Sequence, residues 1–188
     1  YTNYMLIHKL YSNVIRPKRQ TELSACFDIH AHLRGPVISE DKTPEFRKIK
    51  MIDRMNHMTE VTPEVTWNSD TPHTTVVIPP NSRALIPTGV VFDIDSDYSI
   101  RIHPRSGLSW KHGVTLVNCE GVIDSDYREE VFVPLLNTTE VPYTVEHGDR
   151  IAQFEIIRYN DTITYLTTTE AEPKRKTNRV GGFGSTGV

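Results

Sequence analysis

The chain has little cysteine, no long apolar run and no strong excess of charge of either sign. Two cysteines, Cys26 and Cys119, stand in 188 residues. That is too few for a disulfide framework, and they lack metal-pair spacing, so free thiols in a reducing compartment are expected. No stretch approaches the roughly 20 apolar residues that cross a bilayer as a helix. Tyr1 to Leu10 lacks the apolar core of a secretory signal. These absences predict a soluble intracellular, cytoplasmic protein without membrane contact. The formal net charge is only −3, whereas dedicated duplex binders carry a basic surface excess, which argues against stable nucleic-acid binding. A Gly-Lys-Ser/Thr phosphate loop is missing as well.

What is present is globular in composition, 37% hydrophobic and 24% charged, and long enough for one domain with a real core. Residues Met5 to Leu10 have strand-like mixing of apolar and basic side chains. Arg16 to Glu22 holds Pro17 and predicts a loop. In Ser24 to Ala31, apolar residues surround Asp28, whose local reading is a turn cap. From Thr75 onward short strands alternate with turns rich in proline and glycine. Tyr98, Ile100 and Ile102 alternate with Ser99, Arg101 and His103, a period of two. Further strands are expected at Val131 to Leu136, Val141 to Val145, Ile151 to Ile157 and Ile163 to Thr167. Many short strands with such punctuation predict an all-β sandwich or barrel.

Residues Gly35 to Pro72 differ. They carry three of the four methionines and many charges. Thr43-Pro44-Glu45 has the order of a helix start, a hydroxyl cap followed by proline and an acid. Phe46, Ile49, Ile52 and Met55 then recur at spacing three, predicting a short amphipathic helix inside an insertion at 35–72. The single domain is expected over 1–170, followed by an arm at 171–188. The arm ends with four of the ten glycines and is expected to be mobile in isolation.

Four polar constellations carry chemistry. Asn118 to Tyr127 links two apolar runs and reads as a hairpin with an amide, carboxylates and a phenol. Gly121 within it permits close backbone approach. In Pro104-Arg105-Ser106-Gly107, Ser106 suits a helix N-cap and Gly113 suits the residue past the end, predicting helix from Gly107 to His112. Free N–H groups there and Arg105 suit phosphate. In His147 to Gln153, a turn feeds a strand, and Arg150 and Gln153 could reach phosphate or a metal-bound water. In the glycine arm, Phe183 suits closure over a flat base, with Ser185 and Thr186 as hydroxyl donors. Each alone has an ordinary surface explanation: an acidic turn, a capped helix, a hairpin end, a floppy tail.

In order along the chain, these pieces resemble the five motifs of the all-β dUTPase family. They stand here as Ala25-Cys26-Phe27-Asp28-Ile29, Pro104-Arg105-Ser106-Gly107, Asn118 through Tyr127, Gly148-Asp149-Arg150-Ile151-Ala152-Gln153, and Gly181 through Gly187. The resemblance implies a distorted jelly-roll or β-barrel with one short helix, assembled as a homotrimer with shared active sites. It implies hydrolysis of dUTP to dUMP and pyrophosphate, with Asp124 as the general base that orients the attacking water. Asn118 and the backbone of Gly121, Val122 and Ile123 would read the uracil edge. Tyr127 would lie under the sugar and exclude a 2′-hydroxyl. Arg105, Ser106, Gly107 and Gln153 would hold the phosphates. Mg²⁺ is the implied cofactor, with Asp28 acting through water. Phe183 and Gly184 would cover the base, and Ser185, Thr186 and Arg179 would meet the γ-phosphate. Cys26 and Phe27 replace a usual glycine and tyrosine, Glu129 replaces a usual glycine, and Arg179 stands one residue closer to the aromatic than is customary. Two other readings stand beside this one. A dCTP deaminase of the same fold would need a glutamate in a different hairpin, so the Asp124–Tyr127 spacing favours the pyrophosphatase. A nucleotide-gated regulatory protein would use 35–72 to bind a protein partner.

Overall fold

The computed structural model describes residues 5–37, 44–68 and 71–158. In chain order its strands are β1 (Leu6–Lys9), β2 (Phe27–His30), β3 (Arg34–Val37), β4 (Pro44–Phe46), β5 (Ile49–Ile52), β6 (Met58–Val61), β7 (Glu64–Asn68), β8 (Thr71–Ile78), β9 (Arg83–Pro87), β10 (Val90–Asp93) and β11 (Tyr98–His103). Helix α1 (Ser106–His112) follows. Then come β12 (Val114–Leu116), β13 (Gly121–Ile123), β14 (Phe132–Asn137), β15 (Tyr143–Glu146) and β16 (Arg150–Arg158).

Two larger sheets enclose the core. One has the order β13-β11-β16-β2, the other β12-β14-β9-β5-β6. A three-stranded sheet β15-β8-β7 and the pairs β1-β10 and β3-β4 complete the body. The strand alternation legible from Thr75 onward sets the inward faces. On β14, Val133 and Leu135 are fully buried while Phe132 is exposed and Pro134 and Leu136 are partly so. Phe154 stacks on Phe27 at 5.2 Å and meets Phe92 edge-on at 4.9 Å, tying β16, β2 and β10 together. Buried aromatics arranged in this way add to the area term, each side chain contributing about 1.5–3 kcal/mol. This architecture is the all-β, jelly-roll-like one, with a single short helix among the described residues, open where its sheets end.

The helix expected in the insertion is absent. Ile49 and Met51 are buried, Lys50 between them is exposed, and Ile52 is partly buried. The true period is two, because β5 lies between β6 and β9 in the five-stranded sheet. The spacing of three among Phe46, Ile49, Ile52 and Met55 skips Met51, which is the residue that faces the core. Pro44 opens a strand rather than a helix, a position where its missing N–H is tolerated. Residues of this stretch therefore complete sheets: β5 pairs with β9, and β7 with β8.

Two local readings also shift. Helix α1 starts one residue early: Ser106 is its first residue and Arg105 occupies the N-cap with no side-chain cap. Gly113 terminates it as expected, with φ 62° and its N–H on Ser109. The link from Asn118 to Tyr127 is more than a hairpin turn. β12 and β14 do pair antiparallel, but β13 between them crosses to the other sheet and pairs with β11. The expected strand Ile163–Thr167 and the C-terminal arm lie outside the described residues.

Candidate active site

Asp28 stands in β2, so it is not a turn cap. It pairs with Gln153 of β16, which in turn pairs with His103 of β11. This register brings three of the sequence motifs to one sheet end. Asp28 is 5% exposed, and its carboxylate accepts from three side chains. Gln20 Nε2 donates to Oδ2 at 2.7 Å, Arg150 Nη1 to Oδ2 at 3.3 Å, and Arg105 Nε to Oδ1 at 3.2 Å. Arg105 Nη1 also donates to the Arg150 carbonyl at 3.1 Å. A buried carboxylate needs such partners. In return it fixes the plane of Arg105, whose other N–H groups remain for a ligand. Gln153 Nε2 donates to the Pro104 carbonyl at 3.0 Å, pinning the strand to the start of the Arg105-Ser106-Gly107 segment.

The same arginines line a cleft of about 310 Å³ with Gly107, Lys111, His112 and Tyr143. Arg105, Lys111 and Arg150 outnumber its one lining carboxylate, Asp149, so the cleft suits an anion. Burial raises the Tyr143 phenol, with Asp149 adding and Arg105 opposing, so it remains a donor. A larger cavity of about 390 Å³ lies among Met5, Ile7, Phe27, Phe92 and Tyr98. Size alone favours it. Its lining is mostly apolar, however, and the cationic cleft is where the motif residues converge.

Asn118 to Tyr127 is the second part of the candidate site. The Glu120 N–H reaches the Asn118 carbonyl at 2.6 Å around Cys119, whose φ is 61°. A three-residue turn of this hand is rare and strained, and such strain concentrates where a site needs it. Gly121 comes next, and a Cβ there would stand 3.2 Å from Ile102 Cβ. The close approach inferred from that glycine is therefore to β11 of the same chain. Val122 is exposed and Ile123 partly buried. Asp124 is exposed, and its carbonyl accepts the Tyr127 N–H at 3.1 Å. The two residues singled out three apart are thus the ends of one β-turn. The Tyr127 ring is 39% exposed and its hydroxyl donates to the Glu130 carbonyl at 2.9 Å. Burial first, then Glu129 and Glu130, raises its pKa, keeping it protonated.

These two parts lie apart within one chain. Asp124 follows Ile123, which pairs with Ile100, whereas Gln153 pairs with His103 two strands over. Strand spacing and rise put the Asp124 backbone about 17 Å from Gln153. The sequence pattern did not point to two further residues of the candidate site: Lys111, which lines the cleft with Arg105, and Gln20, which gave no signal in its loop. Arg150 was noticed but its place on Asp28 was not. Arg179, Phe183, Gly184, Ser185 and Thr186 lie outside the described residues. Among the described residues, no group of three or more His, Cys, Asp or Glu could hold a metal by itself. No helix among them is long and apolar enough to cross a membrane.

Comparison with known proteins identifies the family. The family model described as dUTPase matches residues 71–187. A deoxyuridine 5′-triphosphate nucleotidohydrolase of Finegoldia magna is 46% identical over 113 residues, 60% of this chain and 76% of its own length. One of Rhizobium leguminosarum bv. trifolii is 45% identical over 114 residues, 60% of this chain and 70% of its own. Among solved structures, the Staphylococcus bacteriophage 80alpha dUTPase superposes with a TM-score of 0.62 at 20% identity, covering 92% of this chain and 100% of that one. The Streptococcus mutans dUTPase gives 0.56 at 20% identity, covering 84% and 97%. The structural matches speak for the fold, and the stretch matched by the family model includes Arg105, Asp124 and Gln153. With well over half of its length matched, this chain belongs to the dUTPase family.

Proposed function

We propose that this chain hydrolyses dUTP to dUMP and pyrophosphate. The Asp124 carboxylate takes a proton from a water whose oxygen bonds to the α-phosphorus. The bridging oxygen–α-phosphorus bond breaks, and the electron pair leaves with pyrophosphate. A positioned general base contributes about 10²–10⁴-fold. Asn118 and the backbone of Gly121, Val122 and Ile123 read the uracil edge, and Tyr127 abuts the sugar. Arg105, Ser106, Gly107 and Gln153 hold the phosphate chain, joined by Arg150 and Lys111. Arg179, Phe183, Gly184, Ser185 and Thr186 close over the nucleotide. The observation that carries this reading is the anchoring of Arg105 and Arg150 on buried Asp28 beside Gln153, in a chain of this family.

An ionised carboxylate has about four acceptor positions. Asp28 uses three on Gln20, Arg105 and Arg150, which leaves one for a water. This fits a hard cation coordinated mainly by phosphate oxygens and water. Mg²⁺ would offset the phosphate charge in that way; a phage phi11 dUTPase of similar fold coordinates a structural Mg(II) ion.

The separation of Asp124 from the cationic cleft supports a homotrimer with shared sites. Two P–O–P bridges, all that separates the α- from the γ-phosphorus, are short against about 17 Å. Asp124 of one copy is therefore read as serving the cleft of another.

The test is pyrophosphate release from dUTP, dCTP, dTTP and UTP with Mg²⁺. Only dUTP should turn over well; comparable dTTP rates refute uracil readout, and ammonia from dCTP would favour a deaminase. Asp124→Asn and Arg105→Ala chains should each be inactive. Co-refolded in equal amounts, they should regain about a quarter of wild-type activity, the fraction of sites pairing two intact contributions in a cyclic assembly. No recovery would place the whole site within one chain.

A further inference from the structure

We infer that Arg47, which lies outside the part of the chain matched by the family model, is a positioning residue for Tyr127 and thereby for discrimination at the sugar. The inference rests on the hydrolase reading above and concerns how that site is held.

Arg47 follows β4, and its N–H donates to the Leu33 carbonyl at 3.1 Å. Its guanidinium grips Glu130 with two prongs: Nη1 donates to Oε1 at 2.9 Å and Nη2 to Oε2. The Tyr11 ring lies 5.4 Å from the guanidinium carbon. Both charged side chains are largely buried, at 16% and 9% exposure. Glu130 Oε1 also accepts the Gly89 N–H at 2.7 Å. Neighbouring bonds close the same seam: Thr88 Oγ1 to the Val131 carbonyl at 2.6 Å, and the Val131 N–H to the Val90 carbonyl at 2.9 Å.

Glu130 is therefore held by its side chain while its carbonyl does a second job. That carbonyl accepts the Tyr127 hydroxyl at 2.9 Å. The path Arg47–Glu130–Tyr127 runs through direct contacts only. It fixes the tip of a ring whose face is partly open to a ligand.

A buried ion pair is seldom worth more to stability than a well-packed apolar pair of the same size. What the bidentate fork adds is geometry, since it fixes the plane and direction of the carboxylate. Arg47, together with the Val131 N–H bond to the Val90 carbonyl, thus holds the peptide unit after Glu130, at the end of the loop that carries Asp124 and Tyr127. If the Glu130 carbonyl swings, the phenol loses its anchor and the ring can yield to a 2′-hydroxyl.

The full chain is used for the test. Arg47→Met and Arg47→Lys are compared with Tyr127→Phe for kcat and KM on dUTP and UTP, alongside thermal melting. Arg47→Met should lower the dUTP/UTP ratio of kcat/KM at least about fivefold, with Tyr127→Phe doing the same. Combining the two should add little, the mark of residues acting through one contact. Lysine should rescue melting more than selectivity, because it keeps charge but lacks the fork. Should Arg47→Met fail to fold, Arg47→Met with Glu130→Gln keeps an acceptor for Gly89 and carries the same comparison. Variants that melt earlier yet keep wild-type selectivity overturn the positioning role alone. A wild-type chain that does not turn over dUTP overturns the hydrolase reading and this inference with it.

Discussion

Two adjoining histidines, His32 buried and His147 half-buried, should make this protein lose stability in mild acid. His32 is 2% exposed, stacks on Tyr11 at 5.3 Å and lies 5.0 Å from the ring of His147. His147 Nδ1 accepts the Leu33 N–H at 3.1 Å, which requires a lone pair on that nitrogen. Burial, chiefly, lowers both from 6.5 to about 4. His147, Arg47, Arg34 and Lys9 add to the effect on His32. Arg34 adds to that on His147, while Glu146 opposes it. A lowered histidine pKa means that the unfolded chain takes up protons first. The stabilisation is complete above pH 6.5 and is lost as pH falls toward 4. From pH 7.5 to 5.5 the linkage relation gives about 1.4 kcal/mol for one such histidine. For two rings in contact, which titrate as a pair, the loss is about 2–3 kcal/mol. In a chain of this length that lowers Tm by about 5–10 °C. The assay is urea unfolding and thermal melting at both pH values, with the double variant His32→Phe, His147→Asn as reference. Phenylalanine keeps a ring against Tyr11, and asparagine keeps an acceptor for Leu33. If wild type and double variant lose equal stability over this interval, the histidines are not the acid-sensitive element.

Two other perturbations read the site and its frame. Asp28→Asn should raise KM for dUTP at least about tenfold and cost about 2 kcal/mol, because Arg105 and Arg150 lose a shared charged acceptor; unchanged KM in steady-state kinetics would remove Asp28 from phosphate binding. Gly113→Ala should cost about 2 kcal/mol by urea unfolding, because a Cβ at φ 62° is strained and would stand 2.4 Å from Thr139 Cγ2; a neutral substitution would mean that the loop after α1 yields freely.

The motif residues and the strand grammar were open to reading because both are local. A period of two over Tyr98 to His103 reports one wet and one dry face, and Gly113 reports a left-handed helix end. The Asp124–Tyr127 pair was legible by spacing, and a single β-turn explains that spacing. The insertion was misread for a physical reason. Over ten residues a spacing of three cannot be told from a strand pair with a turn, and only the neighbours β6 and β9 select the second. Asp28 was read as a cap, or as acting on Mg²⁺ through water. Its partners Arg105 and Arg150 come from two distant segments and Gln20 from the loop before β2, and none of them is implied by the pattern around Asp28.

By itself, the sequence settled which residue types recur at which intervals: enough for the all-β class, the short helix and the family motifs. The folded chain alone decided which strands become neighbours. That choice puts Asp28, Arg105, Arg150 and Gln153 at one sheet end, Asp124 about 17 Å from Gln153, and Arg47 on Glu130. The cause is that side-chain chemistry is carried along the chain, whereas proximity is set by sheet order. Sheet order depends on the free energy of burying all the inward faces together.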